Sequence, residues 1–177
     1  MTREKLTSAP TLETRRLRLR AHTLDDFADV RTMWSDADVT RHIGGQPMIE
    51  EDIWMRFLRH VGHWALMGYG SWIVEEKASG KFVGETGFFD AKRNMQPGLG
   101  DAHEAGWALA SRSHGKGYAS EATQAAHDWH DKRFDRARTA CMIAPGNGAS
   151  LRVAEKLGYK EFAHTTYKGR DAVLFER

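Results

Sequence analysis

The run Glu104-Ala105-Gly106-Trp107-Ala108-Leu109-Ala110-Ser111-Arg112-Ser113-His114-Gly115-Lys116-Gly117-Tyr118-Ala119 decides how this chain folds. His103 to Ala110 reads as a short strand. Gly115 and Gly117 then punctuate a turn, and Gly117 to Phe134 carries a helical pattern with Ala119, Ala122, Ala126 and Trp129 on one side. The two glycines let the backbone bend and let a ligand approach without interference from Cβ. The first turn of the helix presents unpaired N–H groups and the positive end of its dipole. Together these make a seat for a phosphate or pyrophosphate, with Arg112 and Lys116 adding positive charge nearby. The spacing is neither that of a P-loop nor that of the GxGxxG dinucleotide fingerprint.

Upstream, Arg16 to Ala21 alternates charge and leucine, the period of a half-buried strand with a solvated arginine face. Thr23 caps a helix that runs to about Trp34, with Asp25 and Asp26 in its first turn. A short irregular stretch ends in Gly44-Gly45-Gln46-Pro47, and a second helix spans about Glu50 to Leu66. Ser71 to Glu76 and Phe82 to Phe89 are strands joined by the turn Ala78-Ser79-Gly80-Lys81, and Asn94 to Asp101 is a loop. Downstream come a strand at Ala137 to Ala144 and a helix at Ser150 to Leu157. A closing hairpin, Tyr159 to Tyr167 and Asp171 to Phe175, turns around Lys168-Gly169. The order β-αα-βββ-α-β-α-ββ predicts an α/β (α+β) fold, a mixed sheet with helices on its faces.

Composition bounds the function. A length of 177 residues predicts one domain with a core large enough to need neither disulfide nor structural metal. Lys+Arg 26 against Asp+Glu 24 is too balanced to announce a nucleic-acid or membrane partner. No apolar run is long enough to span a bilayer, and Met1 to Leu6 lacks the apolar core of a secretory signal. The single cysteine, Cys141, can form neither an intrachain disulfide nor a thiolate zinc site, so a cytoplasmic setting is expected.

Arg112-Ser113-His114-Gly115-Lys116-Gly117 resembles the R/Q-x-x-G-x-G/A motif of the GNAT superfamily of N-acetyltransferases. Asn147-Gly148-Ala149-Ser150-Leu151-Arg152-Val153-Ala154-Glu155-Lys156-Leu157-Gly158-Tyr159 is similar to that family's C-terminal motif. Leu12 to Arg20 resembles the start of its RimJ/RimL branch. The resemblance covers nearly the whole chain. It implies one GNAT-like domain over residues 1–177, with 1–11 as a flexible lead-in, and a mostly antiparallel sheet flanked by helices on both faces. It also implies acetyl-CoA as co-substrate and no metal. The acceptor would be a primary amine, on a small molecule or a protein N-terminus, and a homodimer is a further expectation, since relatives often dimerise. A non-catalytic acyl-CoA-binding module with the same cleft is the alternative.

By the same resemblance, the backbone from His114 through Gly115, Lys116, Gly117 and Tyr118 to Ala119 would take the pyrophosphate. Trp107, Ala108 and Leu109 would pair with the pantetheine arm as an added strand, and Asn147 would contact it. Glu104 is the candidate general base, with Glu85 on the neighbouring strand as its substitute. The family's usual tyrosine acid falls at Ala154 and is absent. Ser150 matches the serine proposed as acid in RimL-like relatives, and it equally suits an N-cap for the last helix.

Other chemistry-bearing residues read more plainly. Cys141 is expected to be inert packing, and His127 and His130 are expected on a solvated helix face. His42, His60 and His63 cluster around the first helices, where relatives bind acceptors; packing histidines are the simpler account. Trp54, Trp64 and Trp129 fit core stripes.

Overall fold

The structure, a computed structural model, describes residues 5–177. Its elements follow the sequence: β1 (Leu12–Glu13), β2 (Leu17–Arg20), α1 (Phe27–Trp34), α2 (Ala37–Thr40), α3 (Glu50–Met67), β3 (Ser71–Glu76), β4 (Phe82–Phe89), β5 (His103–Leu109), α4 (Tyr118–Arg133), β6 (Thr139–Ile143), α5 (Gly148–Lys156), β7 (Lys160–Tyr167) and β8 (Arg170–Glu176). The expected order is present, with the two-residue β1 and the one-turn α2 added to it. Eight strands make one sheet in the order β1-β2-β3-β4-β5-β6-β8-β7. Every pair is antiparallel except β5 with β6.

Strand alternation sends neighbouring side chains into two cores. Ile73 packs with Val30, Met33, Trp34, Ile53 and Phe57 of α1 and α3, beside Ala108. Trp72 and Val74 face the other way, into a core with Phe88, Leu109, Ala122, Ala126 and Val153 beneath α4 and α5. Leu17 and Leu19 of the Arg-Leu alternation are fully buried in that second core. Trp64 joins it too and donates from Nε1 to Ser71 O at 2.8 Å.

Three expectations need correction or completion. His127 and His130 do not lie on a solvated face: they are 1% and 0% exposed. The small side chains of Ala122 and Ala126 let α4 approach the sheet closely, which carries the adjoining histidines inward. Polar partners meet them there: His127 reaches Thr123 O at 2.7 Å and Tyr159 Oη at 2.8 Å, and His130 Nε2 reaches His103 Nδ1 at 2.8 Å. Ser150 is not the N-cap of the last helix. Asn147 is, its Oδ1 accepting from Ser150 N at 3.1 Å, because the helix begins at Gly148. The expected lead-in, residues 1–11, is packed where it is described. Leu6 and Ala9 rest on the core and Pro10 O accepts from Trp72 Nε1 at 2.8 Å; residues 1–4 lie outside the described residues.

Candidate active site

The parallel pair β5–β6 positions the site. Their register holds only at His103↔Thr139 and Glu104↔Ala140, while on its other edge β5 pairs with β4 from Glu104 to Leu109. Beyond Glu104 the two parallel strands part, leaving the Gly106–Leu109 edge of β5 facing a wedge instead of a neighbour. An extended ligand arm laid in that wedge would meet backbone donors and acceptors at strand spacing.

At the end of β5 the chain turns through Ser111–Ser113 into the glycine turn and α4. Gly115 has φ +74° and Gly117 φ +77°, both left-handed, so glycine is required there by backbone conformation. Side chains hold this turn open from both flanks. His114 Nε2 contacts Leu109 O at 2.8 Å, and Arg112 donates to Phe82 O at 2.9 Å and to Asp29 at 3.2 Å. Tyr118, the first residue of α4, donates from its hydroxyl to Glu76. Gly115, Lys116 and Gly117 are exposed, leaving the N-terminal amides of α4 accessible to an anion.

Arg16 belongs to this arrangement and was not visible as such in the sequence, where it counts only as one arginine of a solvated strand face. Its Nε pairs with Glu121 at 2.7 Å, its Nη1 donates to Lys116 O at 3.0 Å, and its guanidinium lies 4.6 Å over the Tyr118 ring. Glu121 in turn accepts from Thr14 Oγ1 at 2.6 Å and Arg16 N at 2.9 Å. These contacts hold its carboxyl below the ordinary range although burial opposes them.

Glu104 opens β5 and is 5% exposed. Arg93 grips it through Nε to both oxygens, at 2.9 and 2.8 Å, and through Nη2 at 2.7 Å, while lying 4.8 Å over the Tyr167 ring. Burial raises the proton affinity of Glu104 above the ordinary carboxylate range; Arg93 pulls the other way without cancelling it. Glu85, opposite Ala108 in the β4–β5 register, is also buried. Its Oε1 contacts His22 Nε2 at 2.9 Å and its Oε2 accepts from Trp34 Nε1 at 2.8 Å. Burial alone would raise its pKa, but the His22 hydrogen bond and the nearby cations hold it far below the usual range.

On the opposite side of the wedge, the Ser150 hydroxyl accepts from Trp107 Nε1 at 3.2 Å, so its own proton stays available. Cys141 is buried on β6 and burial pushes its thiol pKa up, which keeps it protonated and poorly nucleophilic. His63 is structural: Nδ1 meets Tyr69 O at 2.8 Å and Nε2 accepts from Asp90 N at 2.9 Å. His42 lies beside Gly146, where an added Cβ would sit 3.7 Å from the His42 Cε1. His60 points into the Glu85 cluster, its Nε2 4.0 Å from Oε1. Among the described residues no group of His, Cys, Asp and Glu is arranged to hold a metal ion.

The sheet is thus split by one parallel pair, with the exposed N-terminal amides of α4 beside the split. The family model for the acetyltransferase (GNAT) domain matches residues 16–160, and the chain belongs to that family. A GNAT-family acetyltransferase structure from Bordetella pertussis is 32% identical, with TM-score 0.84, covering 96% of this chain and 99% of that one. The fold is shared with spermidine N-acetyltransferase from Vibrio cholerae in complex with CoA and spermine (16% identity, TM-score 0.73, 93% and 96% coverage). It is shared equally with RimL, a ribosomal L7/L12 α-N-protein acetyltransferase in complex with coenzyme A (16%, 0.73, 95% and 97%). The uncharacterized protein YkkB of Bacillus subtilis is 40% identical over 93 residues, 51% of this chain, and the chain spans about half of that relative, 52%.

Proposed function

We propose that this protein transfers an acetyl group from acetyl-CoA directly to a primary amine. The observation that carries the proposal is the wedge beyond Glu104/Ala140 leading to an open glycine turn at the start of α4. A pyrophosphate would lie against the amides from His114 to Ala119, and a pantetheine arm along Trp107, Ala108 and Leu109, with Asn147 across from it. The spermidine and ribosomal-protein enzymes that share this fold act on amines, which supports an amine acceptor.

In this mechanism Glu104 takes a proton from the acceptor ammonium, directly or through water, to give the nucleophilic amine, and Arg93 keeps its carboxylate in one orientation. The amine nitrogen forms the new bond to the acetyl carbon and the carbon–sulfur bond breaks. Ser150, anchored by Trp107, passes a proton to the departing thiolate and regains one from the nitrogen, which sheds its second proton as it becomes the amide. A protonated Cys141 makes an acetyl-cysteine intermediate unnecessary.

The test has two arms. A ligand that binds only the folded state at ~100 times its dissociation constant adds about 2.7 kcal/mol, so CoA should raise Tm clearly and NAD or ATP much less. Thiol release from acetyl-CoA should then depend on an added amine from a panel of peptide N-termini, polyamines, amino sugars and amino acids. Stabilisation by CoA without amine-dependent release would leave a binding module. Equal responses to CoA, NAD and ATP would remove the donor assignment.

A further inference from the structure

The face of the sheet beneath α1 and α3 holds two carboxylates, and both are already satisfied. Glu85 spends one oxygen on His22 and the other on Trp34, and Glu104 spends both on Arg93. The unspent polar capacity lies on α3. Arg56 has no hydrogen-bond or ion-pair partner among the described residues, and its Nε is shut off from water and unpaired. Its guanidinium lies 4.1 Å over the Trp34 ring, the same indole that donates to Glu85. One turn on, His60 is 3% exposed and its Nε2 likewise has no hydrogen-bond partner. Arg56 Nε and His60 Nε2 are thus two buried nitrogens without hydrogen bonds, four residues apart on one helix face; His60 Nε2 is directed at Glu85 Oε1, 4.0 Å away, and Arg56 is left as the unmet group.

The sign of this unmet capacity is specific. Burial lowers the Arg56 pKa to about 10, so the group remains a cation at neutral pH. Its charge acts on both Glu85 and Glu104, with Arg59 acting on Glu104 as well. Three arginines, Arg56, Arg59 and Arg93, thus act on Glu104, and of these Arg93 is the one in contact with it. Such a site wants one more anion. A second ammonium, as in a polyamine, would meet the Arg56 cation there.

We propose that the acceptor is an amine bearing its own carboxylate, an amino-acid-type small molecule, and that Arg56 recognises that carboxylate. A guanidinium suits the task because its planar donors match a carboxylate in pairs, and the stack on Trp34 fixes its plane in advance. This specificity rests on the acetyl-transfer reading above, but its test does not use turnover. With CoA saturating, Tm is followed while matched amines are titrated: lysine against cadaverine, arginine against agmatine, phenylalanine against phenethylamine, and each amino acid against its amide.

In at least one set the carboxylate-bearing member should half-saturate at a concentration about 10–100-fold lower than its partners. Arg56→Gln should abolish that advantage and leave the CoA shift intact, while Arg31→Gln, at an exposed pair with Glu50, should keep it. If Arg56→Gln fails to fold, the wild-type ordering alone decides. Equal or tighter binding of the decarboxylated or amide members, or no response to any set, overturns the proposal. Failure of acetyl transfer itself would show separately, as no CoA shift and no thiol release.

Discussion

Glu104 carries the most consequence of any single residue. Its carboxylate is buried, gripped by Arg93 and raised in proton affinity, so the acidic limb of kcat/KM should fall above the ordinary glutamate range near 4.3. Activity is present above that pKa and lost as pH falls through it, because a protonated Glu104 cannot accept the amine's proton. Glu104→Gln should lower kcat at pH 7 by about 10²–10⁴-fold, and raising the pH should restore much of it as neutral amine becomes available from bulk water. The pH–rate profiles of the two proteins check this; superimposable profiles would remove Glu104 from the mechanism. Glu104 was proposed from the resemblance of its strand and glycine turn to the family's motif. Arg93 was not, because it lies 11 residues away in a loop without periodic pattern and meets Glu104 only through the tertiary fold. Arg56 escaped for a related reason: helical spacing shows which residues share a face, not which of them lack partners once buried.

The element on which the proposed donor site depends is the junction of β5, the glycine turn and α4. At Gly117 a Cβ would meet only Arg16 Nη2, at 3.5 Å, so Gly117→Val costs left-handed backbone strain of roughly 1–2 kcal/mol, not a steric clash. The variant should remain folded by circular dichroism, melt a few degrees lower and lose the CoA-induced shift. Arg16 braces the same junction from the start of β2, so Arg16→Ala should weaken CoA binding and cost about 1–3 kcal/mol by removing the Nε hydrogen bond to Glu121 and the Nη1 hydrogen bond to Lys116 O. Arg18→Ala, whose exposed pair with Glu13 is solvated, should leave stability nearly unchanged. Denaturant titrations of the two variants, with and without CoA, make the comparison; equal effects would show that Arg16 is an ordinary surface charge. The strand–turn–helix order here was legible because glycine spacing and alanine periodicity are local signals. The latch was not, since Arg16 and Arg18 occupy one alternating run and only the packing of α4 against the start of β2 separates their roles.

Across the whole molecule, buried histidines tie stability to pH. Burial first, and the neighbouring histidines next, lower His130 to about 3; burial lowers His127 to about 4, and His103 is lowered too. An unfolded histidine takes its proton near 6.5, so between about pH 6.5 and 4 the unfolded chain binds more protons than the folded one. The stability these groups contribute is therefore present above 6.5 and lost as pH falls toward the folded values. His127 and His130 should each forfeit about 2 kcal/mol by pH 5, before the depressed carboxylates Asp26 and Glu85 begin to add to the loss. Urea midpoints at pH 7.5 and 5.0 measure it, and His130→Phe should flatten the difference; an unchanged midpoint would mean these rings titrate normally in the folded state. At this scale the sequence conveyed the mixed sheet and its helices, because periodicity and turn chemistry recur along the chain. It did not convey the burial of His127 and His130, since polar side chains on an alanine-rich helix look solvated until their partners Tyr159 and His103 are placed. The central claim, direct acetyl transfer to an amine, is tested by one measurement: free CoA thiol and N-acetylated amine quantified together, with the best acceptor at saturation. One acetylated amine for each thiol released, and no thiol release without amine, is expected; thiol release without N-acetyl product, or none from a protein that CoA stabilises, would contradict it.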